Sequence, residues 1–290
     1  MKKTALIAAS LLMVLAFALP AMAQAFDKSQ EITVISREAS SGTRGAFDEL
    51  MKILVKNGDV TEDRLFAEAV LVSSTDEVSS KVEVDQYAIG YTSLGAVTDK
   101  VKAVSVDDVE ATVENVKAGA YKISRPFVLA LPKSSENTLA KDFIAFVASA
   151  QGQEIVSGNG YINAVEDAPE YAAVGLSGKL TLSGSTSVEK VIEKLKEAYS
   201  ALNPEVAIEI TYNGSSAGIK DVTEAKVDIG MSSRELKEEE AAVLEPSVFA
   251  HDGIAVVVNN QNDVSALSSE QITAIFTGEI RTWDAVTAAK

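Results

Sequence analysis

Beyond residue 26 the chain alternates short apolar runs with amphipathic stretches. Ile32-Thr33-Val34-Ile35 predicts a buried strand, then a polar turn and a helix over 45–55. Leu180-Thr181-Leu182 repeats that arrangement, leading through a turn into a helix over 188–200. Residues 206–212 alternate with period two, and the dense apolar runs at 127–131 and 254–258 suit central strands. Helical spacing recurs over 140–150 and 269–276. Such alternation predicts an α/β fold with mostly parallel sheets. Two stretches also resemble each other: Ser73-Ser74-Thr75-Asp76-Glu77 leads to Ala88-Ile89-Gly90-Tyr91-Thr92-Ser93, and Ser215-Ser216-Ala217-Gly218 leads to Asp228-Ile229-Gly230-Met231-Ser232-Ser233. Each is a hydroxyl-rich turn, a helix and a short strand, which predicts two lobes of like architecture.

The first 25 residues differ from the rest. Lys2 and Lys3 precede an apolar run over 5–19, and small-x-small sites follow at Ala21-Met22-Ala23 and Ala23-Gln24-Ala25. This predicts a secretory signal peptide cleaved after Ala23 or Ala25, with an apolar run too short to span a bilayer. There are no cysteines, hence no disulfides and no lipid-bearing thiol at the cleavage site, so a soluble periplasmic form is expected. The formal charge of −16 disfavours nucleic acid and anionic lipid as partners. If the ligand is an anion, its capture then rests on local donors and one or two cations, not on long-range attraction.

The distinctive chemistry is Ser, Thr and Gly at strand-to-helix turns: Arg37-Glu38-Ala39-Ser40-Ser41-Gly42-Thr43-Arg44, Ser183-Gly184-Ser185-Thr186-Ser187 and Asn213-Gly214-Ser215-Ser216-Ala217-Gly218. A helix N-terminus presents unpaired N–H groups and about half a positive charge. Small residues let a tetrahedral oxyanion approach that backbone, hydroxyls add donors, and Arg37 would supply a two-pronged fork. Ordinary capping competes with this reading at any single turn, since Thr186–Glu189, Ser74–Glu77 and Ser268–Gln271 have capping-box spacing. None of the turns carries a nucleotide P-loop or a dinucleotide fingerprint.

Taken together, Arg37-Glu38-x-Ser40-Ser41-Gly42-Thr43-Arg44, Gly184-Ser185-Thr186-Ser187, Gly214-Ser215-Ser216-x-Gly218, Asp228-Ile229-Gly230-x-Ser232-Ser233 and Ile275-Phe276-x-Gly278-x-Ile280-x-Thr282-Trp283 resemble the signatures of the phosphate-binding proteins of ABC phosphate importers. The resemblance implies a two-lobed periplasmic binding protein fold of type II, two crossing strands as its hinge, and phosphate in the cleft. It implies Arg37, Ser41, Gly42 and Thr43 as ligands from one lobe, and Thr186, Ser187, Ser215 and Ser233 from the other. Glu38, Ser40, Tyr91, Thr92 and Ser216 are expected around them, with Glu38 orienting the Arg37 guanidinium and Tyr91 and Thr92 either lining the cleft or packing in the core. A membrane ABC permease is the implied partner of a monomeric binding protein, with no cofactor and no metal.

Two departures from the family pattern stand out. Some members carry an acidic residue at the position of Ser233, where it accepts the proton of hydrogen phosphate, so selectivity against sulfate is weakened here. The motif order is also rotated, as in a circular permutant. Asn163–Gly178 then joins the family's usual C-terminus to its usual N-terminus, and a flexible linker is expected there. Lobe I becomes continuous over 127–253, while lobe II combines 26–126 with 254–290. A protein binding or sensing another oxyanion, sulfate or molybdate, is the alternative. A serine hydrolase is more remote: Ser187-x-x-Lys190 lacks its partner motifs, and His251 is the single histidine.

Overall fold

The computed structural model describes residues 26–58 and 60–288; the expected signal peptide lies outside them. Fourteen strands and ten α-helices follow one another among the described residues. In lobe II, β1 (Thr33–Arg37) pairs in parallel with β4 (Val70–Val72) and β5 (Ala88–Ser93). A hairpin of β2 (Leu54–Asn57) and β3 (Val60–Asp63) forms a separate two-stranded sheet, as do β7 (Ser105–Val106) and the later β14 (Ala266–Leu267). Lobe I holds β10 (Gly178–Gly184) between β11 (Val206–Tyr212) and β12 (Ile229–Ser232), both parallel to it.

Two long strands join the lobes. β8 (Ser124–Pro132) and β13 (Leu244–Asn259) run antiparallel to each other; β8 then pairs with β12, and the far end of β13 pairs with β5. The resulting strand order is β11-β10-β12-β8-β13-β5-β1-β4, with β6 (Val101–Ala103) and β9 (Ile162–Asn163) also on β13. The expected parallel strands are therefore present, but antiparallel crossing strands complete each sheet. Apolar side chains divide accordingly: one core draws on residues between Phe127 and Ala250, the other on Ile32–Ile123 and Ile254–Val286. At the crossing, Arg125 lies opposite Asp252 with Nη2 donating to Oδ2 over 3.1 Å, and their side chains are 1% and 0% exposed. Burial pushes the Asp252 carboxyl above its ordinary range while the guanidinium pulls it down. His251, beside this pair on β13, is exposed.

The helices are α1 (Gly42–Leu50), α2 (Thr75–Val84) and α3 (Val113–Lys117), then α4 (Thr138–Val147) and α5 (Ala150–Gly158). They continue through α6 (Glu189–Leu202), α7 (Ser215–Thr223) and α8 (Glu238–Val243) to α9 (Ser269–Phe276) and α10 (Trp283–Ala288). Three local expectations are corrected. The helix expected over 45–55 starts at Gly42, because the Ser41 hydroxyl caps it by accepting from the Arg44 N–H, and it ends before Lys52, whose φ is +54°. The helix expected over 140–150 is two helices, because Ser149 caps a second one by accepting from the Gly152 N–H. The segment expected to be a flexible linker is anchored in its first half, where buried Gln153 accepts from the Ala164 N–H and Tyr171 donates its hydroxyl proton to Asp142 at 2.7 Å, while 172–175 are exposed coil.

Candidate oxyanion site

Strand-to-helix turns from both lobes meet along one buried seam. The first helical residue of α1 is Gly42, of α2 Thr75 and of α7 Ser215, while Thr186 opens the short 3-10 turn that leads into α6. Three helix N-termini and one 3-10 turn therefore converge, and each helix start carries a partial positive charge. Arg37, the last residue of β1, brings the full charge and is only 2% exposed.

The lobes touch through hydroxyls. Arg37 Nη2 donates to Thr186 Oγ1 over 3.0 Å, and Thr43 Oγ1 and Ser187 Oγ are hydrogen-bonded at 2.7 Å. Thr75 Oγ1 bonds to Thr186 Oγ1 at 3.2 Å and to Ser187 Oγ at 3.1 Å. Next to Gly42, Ser215 Oγ and Ser233 Oγ lie 3.3 Å apart, and the Ser233 N–H donates to Ser215 Oγ. A Cβ on Gly42 would stand 2.3 Å from Ser215 Oγ and 2.9 Å from Ser233 Oγ, so glycine is what lets the lobes close here. The backbone adds a further tie, with the Ser216 N–H donating to the Ser40 carbonyl at 3.1 Å. Seven of the eight residues expected from the sequence as ligands thus meet along one seam: Arg37, Thr43, Thr186 and Ser187 in one group, and Gly42 against Ser215 and Ser233 in another. Ser41 stands beside them as the α1 cap.

The surroundings depart from expectation in one respect. Glu38 is exposed, and the Arg37 guanidinium is oriented by carbonyls instead: Nη2 donates to Ser73 at 2.8 Å and Nε to Val72 at 3.3 Å. Glu77 fixes that turn by accepting from the N–H and hydroxyl of Ser73, which hold its carboxyl below the ordinary range. Tyr91 packs in the lobe II core, stacked on Phe47 at 4.0 Å, and only its hydroxyl reaches the seam, bonding to Ser36 Oγ and accepting from the Arg37 N–H. Thr92 is buried on β5 and its hydroxyl has no hydrogen-bond partner. Burial lowers the Arg37 guanidinium to about 10, which leaves it charged at neutral pH. One residue of the seam is not among the ligands expected from the sequence: Thr75 lies in a turn noted for its hydroxyls but read through its capping box.

This seam suits a small tetrahedral anion: hydroxyl and backbone donors from two bodies, one buried fork, and no carboxylate among the hydroxyl and guanidinium groups that meet across the lobes. Among the described residues no cluster of three or more His, Cys, Asp or Glu side chains has a metal-binding arrangement. A model of the PBP superfamily domain matches residues 23–151 and 168–290. The chain belongs to the PBP superfamily, among the PstS-type phosphate-binding proteins. It is 48% identical over 258 residues to the phosphate-binding protein PstS 2 of Streptococcus pneumoniae serotype 4, covering 89% of this chain and 88% of that one. It is 44% identical over 254 residues to PstS 2 of Streptococcus agalactiae serotype V, covering 87% and 86%. The crystal structure of a phosphate ABC transporter's phosphate-binding protein from S. pneumoniae TIGR4 matches with a TM-score of 0.72, over 88% of this chain and 99% of that one. The fold is the two-lobed one of these proteins, and the PstS-type chain is a binding protein, not an enzyme. Because the streptococcal match spans nearly nine-tenths of both chains, the motif order is common to both.

Proposed function

We propose that this protein binds inorganic phosphate between its lobes and delivers it to a membrane ABC permease after export as a monomer. The observation that carries the reading is the pairing of Arg37 and Thr43 with Thr186 and Ser187 across the seam, since donors split between two bodies surround an anion only on closure. Arg37, Ser41, Gly42 and Thr43 serve from lobe II, and Thr186, Ser187, Ser215 and Ser233 from lobe I, with Thr75 as a ninth contributor. The lobes divide at 126/127 and 253/254, where the two cores part on the crossing strands. The segment 163–178 serves as the junction of an order that is rotated relative to the usual family pattern and shared with the streptococcal relative.

A second reading has one observation in its favour. Ser233 stands where a proton-accepting carboxylate would select hydrogen phosphate, so sulfate or another oxyanion competes. Titration calorimetry of the mature chain with phosphate, then with sulfate, tests both. One phosphate per chain with sulfate weaker supports the proposal. No heat from phosphate alongside tight binding of sulfate or molybdate overturns it.

A further inference from the structure

Arg44 is 8% exposed and touches none of the cross-lobe hydroxyls, yet its three donor nitrogens go to three separate elements. Nε donates to Asp48 on its own helix at 3.0 Å, Nη2 donates to Asp63 at the end of β3, and Nη1 donates to the carbonyl of Arg37 at 3.1 Å. The geometry of a guanidinium makes this a lever. It is planar and rigid, so two carboxylates on Nε and Nη2 fix its plane and aim Nη1 at one place. That place is the end of β1. The Arg37 N–H is meanwhile held by Tyr91 Oη at 3.3 Å, so the backbone of Arg37 is gripped on both sides of its Cα. Among the described residues the β2–β3 hairpin that supplies Asp63 pairs with no other strand, and the Asp63 side chain is 47% exposed.

We propose that Arg44 is a positioning residue for the anion site, and that Asp63 on the exposed hairpin sets its aim. The hairpin's docked position is thereby coupled to oxyanion affinity, through Asp63, Arg44 and the Arg37 carbonyl in turn. The inference rests on the reading of Arg37 as the ligand's cation. It makes a prediction whose sign opposes the simplest electrostatic one. Removing a carboxylate from the neighbourhood of an anion site should, by charge alone, tighten anion binding. Loss of Asp63 instead frees the fork, loosens Arg37 and weakens binding.

The test is titration of the mature chain with inorganic phosphate in four variants: Asp63→Asn, Arg44→Lys, the two combined, and Arg37→Ala. Asp63 is half-exposed, so Asp63→Asn should fold with a melting temperature within about 2 °C of the parent. The expected result is a phosphate affinity about three- to tenfold weaker in Asp63→Asn, with no further loss when it is added to Arg44→Lys. Unchanged or tighter binding in Asp63→Asn overturns the proposal, as does a full, additive loss in the double variant. If Asp63→Asn is neutral while Arg37→Ala loses phosphate, the anion site stands and only the lever falls. If Arg37→Ala itself binds like the parent, the site reading fails and takes the lever with it.

Discussion

Replacing Arg37 by alanine is the sharpest perturbation the seam offers. Its guanidinium is almost fully buried and donates to two carbonyls and to Thr186 across the lobes. Burial has already lowered its proton affinity to about 10, so the desolvation is met within the fold and an arriving anion gains the attraction. A unit charge about 4 Å from another at an effective dielectric near 20 is worth roughly 4 kcal/mol. Part of this is regained when the variant admits water, leaving an expected loss of about 3–4 kcal/mol, or a hundred- to a thousandfold in Kd. Arg37→Lys keeps the charge but cannot serve the Val72 and Ser73 carbonyls and an anion together, so it should lie between the two. The assay is calorimetric titration with phosphate, with circular dichroism to confirm an intact fold. A folded Arg37→Ala variant whose affinity changes less than about tenfold, roughly 1.4 kcal/mol, refutes the assignment of Arg37 as a ligand.

Gly42→Ala should leave each lobe folded but prevent their meeting, because its Cβ would fall 2.3 Å from Ser215 Oγ. A loss of about 1–3 kcal/mol in phosphate binding is expected, and wild-type affinity would contradict the proposed closure. Ser233→Asp introduces a carboxylate that can accept the proton of hydrogen phosphate but repels sulfate, so competition titration should show the phosphate-to-sulfate preference rising at least about tenfold. Asp48 offers a pH signature. Burial raises its carboxyl from 3.8 to about 6, against the pull of Arg44, so the folded state holds a proton that the unfolded chain has released between these values. Stability from this group is present at low pH and is lost as pH rises through about 4 to 6, by up to about 3 kcal/mol. The difference in denaturation midpoint between the parent and Asp48→Asn, followed across that window, should shift in favour of Asn as pH rises, and a constant difference would rule this out.

What could be read from the chain was what is local. α9 occupies the expected residues, 269–276, because the Ser268–Gln271 capping box and an apolar stripe define it without help from the rest of the fold. The candidate ligands were legible for a similar reason: each sits where a strand gives way to a helix, and small hydroxyl residues at such a point carry their own chemistry. Thr75 occupies the same kind of position and was hidden by a stronger local explanation, since Ser74 and Glu77 complete a capping box around it. Only the approach of Thr186 and Ser187 from the other lobe, 111 and 112 residues away, gives its hydroxyl a second role. Glu38 failed in the opposite direction, because adjacency in sequence suggested a partner for Arg37 when the end of β1 turns its side chain to solvent. The acceptors that do orient the guanidinium are main-chain carbonyls at 72 and 73, which no residue type announces. The same holds for Arg44, whose three partners lie 4, 7 and 19 residues away on three different elements. Residue identity thus names the groups that can hold an anion. Which of them do so, and how firmly, depends on backbone positions that the sheet order determines.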